Sequence, residues 1–373
     1  SKAAELAALI GSQTALSNRN LFINGAMQVA QRGADIDGVA NGGLCTDRFK
    51  FRIANTDNLV INLDQSTDTP AGFNNSLKVS VGTAESAIAA DEFFSFGQTV
   101  EAQNCQRMGY GSSSAKKLTL SFYVKSSVTG TYAISLFQSD ASSSPDRRYH
   151  SKTYTINSAN TWEYKTVTIN PNTDDAIAND NGVGLRVDWT LSAGTNYTSG
   201  SNDTWGDSTN WMVGHNASWI TTSGATFFLT GAQLEIGEQA TPFEHRSFAD
   251  ELYRCKRYFQ KSFNYDTAPE NGGASGISYN GGILGYCGSN NNGALSGFHR
   301  FDPEMRTTPT IVTYGNSSGH WGRVIPTNTG TTTFSAGSGY MSNTKASGIN
   351  FGQNVSGDTL IIGFGHITAD AEL

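Results

Sequence analysis

The sequence lacks any run approaching 18 consecutive apolar residues, so no membrane-spanning helix is expected. Its four cysteines, Cys45, Cys105, Cys255 and Cys287, stand far apart and form no C-x-x-C pair. That spacing removes the common zinc and redox motifs and is read most simply as synthesis in a reducing, cytosolic compartment; one disulfide is left open by spacing alone. The chain has no charged-then-apolar leader, and its small Ser1 fits removal of an initiator Met from an otherwise complete chain. Basic runs are absent as well. There are 25 Lys and Arg against 32 Asp and Glu, a net charge of −7. The nearest thing to a basic patch, Arg254, Lys256, Arg257 and Lys261, falls on one predicted helix and reads as a solvated face. Nucleic acid is therefore not an expected partner. Charged residues make up only 15% of the chain, against about 25% in ordinary domains.

In their place the chain is rich in Asn, Thr, Ser and Gly, with 41 glycines, and its aromatic share of 11% excludes a disordered chain. This composition is that of β-sandwiches with many turns and argues against a helical bundle. At 373 residues, two or three domains are expected. Apolar/polar alternation marks strands at 118–127, 131–139, 162–170, 184–192 and 225–237, and Gly130 is expected to fold the first two into a hairpin. Residues 20–245 are thus expected to form one large two-sheet sandwich or jelly roll.

Two segments switch to helical period. Residues 1–14 place Leu6, Leu9, Ile10 and Gln13 on one face. A helix so short needs a partner to persist in water, and the plainer alternative is a frayed terminus. Residues 247–261 begin with Ser247 and Asp250, a start like a capping box. They space Phe248, Leu252, Cys255 and Phe259 by 4, 3 and 4, as in a coiled-coil seam. Such a helix, spanning 246–262, either packs on its own sandwich or meets two copies on a symmetry axis. Residues 263–373 return to β pattern, with strands at 306–314, 331–337 and 358–369 and Pro309 at a strand start or edge; a smaller C-terminal β-sandwich is expected.

Signals for chemistry are sparse. Six histidines form no H-x-H, H-x-x-x-H or H-E-x-x-H pair, so no metal or other cofactor is expected. Gly109–Lys117 resembles a phosphate loop superficially, but lacks the Walker spacing and a surrounding βαβ unit, and reads as a surface turn. Asp174/Asp175, Asp203/Asp207 and Asp91/Glu92 are the carboxylate pairs to weigh for glycoside hydrolysis, and each falls in a predicted loop. Asn202, Asp203 and Asp207 offer oxygens to calcium without any calcium-loop pattern. Trp205, Trp211 and Trp219 would suit stacking on the apolar face of a sugar ring, but burial at the ends of a sandwich core is the favoured reading. Tyr314, His320, Trp321 and Tyr340, set among Gly, Ser and Asn, have the composition of adaptable recognition loops and are equally compatible with a structural role.

Several segments together resemble the phage tail-fibre or receptor-binding virion structural proteins. They are NRNLFINGAMQVAQRG (18–33) with DRFKF (47–51), TWEYKTVTINPNTDDA (161–176), GLRVDWTLSAGTNYT (184–198), MRTTPTIVTY (305–314) and, most specifically, the stretch from Phe227 to Ser262. The resemblance implies a jelly roll akin to carbohydrate-binding modules, whose first strands are 18–33 and 47–51, then a connecting helix and a variable distal β domain. It also implies a homotrimer, which favours Phe248, Leu252, Cys255 and Phe259 as axial residues. Trp189, Gly194, Tyr197 and Trp205 become shared framework under it.

The expected organisation is then an N-terminal anchoring helix and linker (1–19), a jelly-roll body (20–245), the connecting helix (246–262) and a tip domain (263–373). The expected function is that of a non-enzymatic short tail fibre, made in the host cytoplasm and carried on the virion tail. Leu6, Leu9 and Ile10 would anchor it to a tail adaptor or nozzle protein. Tyr314, His320, Trp321 and Tyr340 would contact a host cell-surface glycan or outer-membrane protein. Two alternatives are a head fibre or other architectural component without a receptor role, and a carbohydrate-active enzyme or its accessory glycan-binding module.

Overall fold

The computed structural model describes residues 2, 18–39, 41–54, 56, 58–139, 148–207, 210–270, 283–287, 294–314, 320–324, 334–335, 345–354 and 361–373. The chain forms two compact units, one built mainly from Ala34–Glu251 and the other from Gln31–Gly33 with Leu252–Glu372.

The first unit is a sandwich of two antiparallel sheets. Strands β1 (Asp35–Ile36), β3 (Val60–Ser66), β4 (Ser76–Thr83), β6 (Leu118–Ser126), β9 (Glu163–Ile169) and β11 (Thr226–Ile236) make one sheet in the order β1-β3-β4-β11-β6-β9. Strands β2 (Lys50–Ala54), β5 (Phe93–Glu101), β7 (Gly130–Gln138), β8 (Arg148–Ile156) and β10 (Val183–Ala193) make the other in the order β2-β5-β10-β7-β8. The chain crosses repeatedly between the sheets, which is jelly-roll connectivity. Short helices α1 (Ala102–Cys105) and α2 (Thr195–Thr198) interrupt the connections.

Alternation in the strands builds the core. Leu118, Leu120, Phe122 and Val124 of β6 and Leu185, Val187, Trp189 and Leu191 of β10 are fully buried at every second position. Trp189 sits at the centre, its ring 5.4–6.1 Å from those of Phe22, Phe49, Phe96 and Phe122.

Two expectations are corrected here. Strands β6 and β7 do not form a hairpin: β6 pairs with β9 and β11, while β7 pairs with β8 and β10. Gly130, at φ +139°, opens a strand of the opposite sheet. Each strand has an apolar face to bury, and placing them in facing sheets puts both faces into one core. Residues 18–33 are irregular backbone, not a strand. Asparagine side chains replace the strand ladder there. Asn20 Oδ1 accepts the Leu234 N–H at 3.0 Å and its Nδ2 donates to Ala232 O at 3.0 Å. Asn24, at φ +60°, donates from Nδ2 to the Val29 and Asp47 carbonyls and accepts the Val29 N–H. These bonds satisfy buried backbone that would otherwise need a sheet partner.

Helix α3 (Phe248–Lys256) starts as its sequence requires: the Ser247 hydroxyl accepts the Asp250 N–H at 3.2 Å and donates to the Asp250 carboxylate at 2.7 Å. Its Glu251 carboxylate accepts the Asn24 N–H at 2.7 Å and pairs with Arg246 at 3.1 Å. The helix ends at Lys256 rather than continuing to 261. Tyr258 N–H bonds Cys255 O, and Phe259–Lys261 becomes strand β12, paired with Thr368–Asp370.

In the second unit, strands β12 to β19 join in one hydrogen-bonded network around the long β19 (Ile361–Asp370). At residues 362–364, β19 lies between β13 (Ile283–Cys287) and β16 (His320–Val324). At 368–370 it lies between β12 and β15 (Thr310–Tyr314). Strand β14 (Ala294–Arg300) connects β13 to β18 (Gly348–Asn354), and β17 (Phe334–Ser335) pairs with β16. A small buried cluster here contains Phe301, Met305, Ile367, Ala369 and Ala371.

Candidate functional site

The sequence-derived candidates come out unevenly. Leu6, Leu9, Ile10 and Tyr340 lie outside the described residues, as do the side chains of His320 and Trp321, whose backbone opens β16. Tyr314 is half-buried at the end of β15, with its ring 5.3 Å from Phe263 and its hydroxyl 3.4 Å from Thr368 Oγ1. Of the helical set, Phe248 is 44% exposed and Leu252 half-buried, whereas Cys255 and Phe259 are buried. Phe259 has left the helix, so the four do not share one helical face.

The tryptophans of the segment 205–219 all make packing contacts. Trp219 is fully buried and stacks on Phe94, and Trp211 lies against Phe93 and Tyr149. Half-buried Trp205 donates from Nε1 to Asn170 O at 2.8 Å, beside Tyr110 and His150. The loop carboxylates are similarly engaged. Asp175 is buried and pairs with Arg148 at 2.6 Å, Asp203 pairs with Lys152, and Glu92 accepts the Ala89 N–H. Among the described residues no His, Cys, Asp and Glu cluster suits a metal ion.

The surface that stands out is the outer face of the six-stranded sheet. The alternation that buries Phe122, Val124, Val167 and Phe227 sends Tyr123, Lys125, Tyr164 and Phe228 to the other side. Register then assembles them: Tyr123 lies directly opposite Tyr164, with ring centroids 4.9 Å apart, and Lys125 opposite Phe228. Trp162, just before β9 and in phase with Tyr164, meets Phe228 at 6.1 Å. The Lys125 ammonium lies 4.3 Å from the Phe228 ring centre and 5.4 Å from that of Trp162.

From Tyr123 the aromatic row continues through Phe73 at 5.5 Å to Phe243 and His245, each about 5 Å further on. Gly231, at φ +62° in the bulge of β11, makes room for this row: a Cβ there would lie 2.7 Å from the Phe73 ring.

Two polar groups fix the Trp162 end. The Asp68 carboxylate accepts the Trp162 indole N–H at 3.1 Å and pairs with Lys125. The Lys125 hydrogen bond, helped by that of Trp162, holds the Asp68 carboxyl below its ordinary range against the effect of partial burial. Tyr164 is 49% exposed. Among the described residues, the hydroxyls of Tyr123 and Tyr164 have no protein hydrogen-bond partner. The result is a fixed, solvent-facing aromatic surface edged by a carboxylate, an ammonium and two phenols. It can stack on the C–H face of a pyranose and hydrogen-bond its hydroxyls.

Composition gave no sign of this face. The one usable signal was the i, i+2 phasing of Trp162 and Tyr164 in a predicted strand. The neighbours contributed by residues 68–73, 123–125, 228 and 243–245 are distant in sequence.

No protein-family model and no curated protein matches the chain. Among solved structures, it is similar to the enzymatically active domain of tailspike protein 4 from bacteriophage CBA120, with 14% identity and a TM-score of 0.30, covering 54% of this chain and 21% of that one. It is also similar to a CBM4 structure, at 11% identity and a TM-score of 0.29 over 57% of this chain and 97% of that one. A third is the xylan-binding domain from CBM 22, at 14% identity and 0.30 over 55% and 96%. The chain thus spans about a fifth of the length of the tailspike it matches. Likenesses this distant specify neither a ligand nor a reaction.

Proposed function

We propose that this chain is a non-enzymatic phage virion attachment protein that binds cell-surface glycan, with the outer face of the six-stranded sheet as a glycan contact. The observation that carries the reading is the aromatic surface of Trp162, Tyr164 and Tyr123, held in place by Asp68 and Lys125 and open to solvent. Sugar rings leave water cheaply on their C–H faces, and flat aromatic side chains offer the matching surface. The resemblance of residues 18–262 to phage tail-fibre proteins supports placement on a virion.

In this proposal the chain acts as a trimeric short tail fibre, its N-terminal segment anchored to a tail adaptor. Single sites of this kind are weak, and three per fibre with several fibres per particle raise the effective affinity by orders of magnitude, about 10²–10⁴-fold.

The test is glycan-array and host-cell binding by the purified protein and by Trp162→Ala and Tyr164→Ala. Both side chains lie outside the core, so each variant should unfold at the wild-type temperature within a few degrees. Each should weaken binding about five- to tenfold, the effect of losing about 1 kcal/mol of stacking. Unchanged binding by both variants removes this face as the contact.

A further inference from the structure

The opposite face of the sandwich carries a different arrangement. On the outer side of the five-stranded sheet, Asp188 of β10 is fully buried between two arginines. Its Oδ1 accepts from Arg52 Nη1 at 2.7 Å, and its Oδ2 lies 3.0 Å from Arg186 Nε.

Arg52 stands on β2 and Asp188 on β10, with β5 between them. They meet because the intervening position opposite Asp188 is Gly97, where a Cβ would lie 2.5 Å from Asp188 Oδ1. One carboxylate shared by two guanidiniums leaves one positive charge over.

The two arginines are used differently. Arg52 spends its terminal nitrogens inside the protein, on Lys50 O, Asp188 and Thr99 Oγ1. Arg186 binds Asp188 through Nε, and its guanidinium lies over both Phe137 (4.5 Å to the ring centre) and Trp211 (4.8 Å). These contacts fix its plane. Among the described residues its Nη1 and Nη2 have no hydrogen-bond partner, and the side chain keeps 18% of its surface exposed. Burial works against its charge and pulls the guanidinium below its ordinary pKa despite Asp188, so an anion at the free edge would relieve an existing cost. Beside it, Trp211 packs against Phe93, Tyr149 and Tyr197, so the free edge of the guanidinium has aromatic neighbours.

We propose that this edge of the sheet face is a second binding site, taking the carboxylate of an acidic sugar on the Nη edge of Arg186 with the sugar ring against the neighbouring aromatic side chains. A guanidinium edge presents two parallel N–H groups, which match the two oxygens of a carboxylate. The net charge of −7 gives the chain no general attraction for anions, so selection falls to this fork. The choice of a sugar as the carrier of the carboxylate rests on the glycan-binding reading above; the fork itself does not.

The test is calorimetric titration of the full chain with two acidic probes, trigalacturonate and sialyllactose, each beside its methyl ester. The proteins are wild type, Arg186→Gln, Arg186→Lys and Trp162→Ala. At least one acid should bind wild type about tenfold or more tightly than its ester, the scale of a charged hydrogen-bonded pair. Arg186→Gln should remove that preference. Arg186→Lys keeps the charge beside Asp188 and serves where the Gln variant fails to fold; it should lose most of the preference with the fork. Trp162→Ala should leave it intact. Which acid binds distinguishes a uronate from a sialate.

Equal binding of acid and ester, binding of neither acid, or an unchanged preference in folded Arg186→Gln or Arg186→Lys would overturn the proposal. Acid binding lost in the Arg186 variants, together with no effect of Trp162→Ala on any glycan, would overturn the aromatic-face reading and leave this site standing.

Discussion

Acid should destabilise the sandwich through His215, and the amount can be worked out. The imidazole is buried, accepts the Ala133 N–H on Nδ1 at 3.3 Å, and has Nε2 3.1 Å from Ala217 O. That pattern fixes the neutral tautomer with its proton on Nε2, because a proton on Nδ1 would face another N–H. Burial pushes the pKa down from 6.5 to about 4, although the Ala217 carbonyl works in the opposite direction. The folded pKa is lower than the unfolded one, so the unfolded chain takes up the proton first. The stabilisation is therefore complete above pH 6.5 and is lost as pH falls towards 4. With these two values, the loss between pH 7.5 and 5.0 is about 2 kcal/mol, rising to about 3 kcal/mol below pH 4.

The assay is urea denaturation at pH 7.5 and 5.0, followed by tryptophan fluorescence, on wild type and His215→Gln. A glutamine amide can accept and donate the same two bonds without titrating. Carboxylates and the other histidines, including His150, whose pKa burial also lowers to about 4, contribute to both proteins and cancel in the difference. Wild type should lose about 2 kcal/mol more than the variant over this interval. Parallel losses would show that His215 does not meet the protein as a buried neutral base.

Other predictions follow from single contacts. Arg246→Ala should cost about 3–5 kcal/mol in the same denaturation experiment, since it strips the buried Glu251 carboxylate of its cation and the Phe22 and Asn20 carbonyls of their donor; a loss below about 1 kcal/mol would mean that water replaces the guanidinium. Gly97→Ala should abolish soluble folded protein, because a Cβ would lie 1.9 Å from Val187 O between β5 and β10; a normal circular-dichroism spectrum and melting temperature would refute the packing. Light scattering should give a mass three times that of the chain for wild type, and Leu252→Asp on α3 should reduce it to one; a wild-type monomer would remove the trimer from the proposal, and a variant trimer would remove Leu252 from its axis.

Alternation made the body of the fold legible. The strands expected at 118–127, 131–139, 184–192 and 225–237 lie within about one residue of β6, β7, β10 and β11. Ser247 and Asp250 likewise announced the start of α3. The misread elements share a cause. The pairing of β6 and β7 depends on which sheet each joins, and adjacency along the chain does not carry that. Residues 18–33 have strand-like composition, but Asn20 and Asn24 bond the backbone directly and make a ladder unnecessary. Helical period runs on through Phe259, yet β19 claims that residue because ladder hydrogen bonds outweigh a weak helical preference at a helix end.

Local chemistry thus settled a great deal in advance: a mainly β chain, two-sided strands with one face buried, and a capped helix near residue 247. These follow from side-chain period and capping, which act over a few residues. What only the tertiary structure decided are the two faces on which function is proposed. Trp162 meets Asp68 and Phe228, and Arg186 meets Trp211 and, through Asp188, Arg52, only because antiparallel register and the crossing of the chain between sheets bring distant segments to one surface. Register is fixed by burying the opposite face of each strand, so the exposed neighbours are a consequence of the core and cannot be read from the exposed residues themselves.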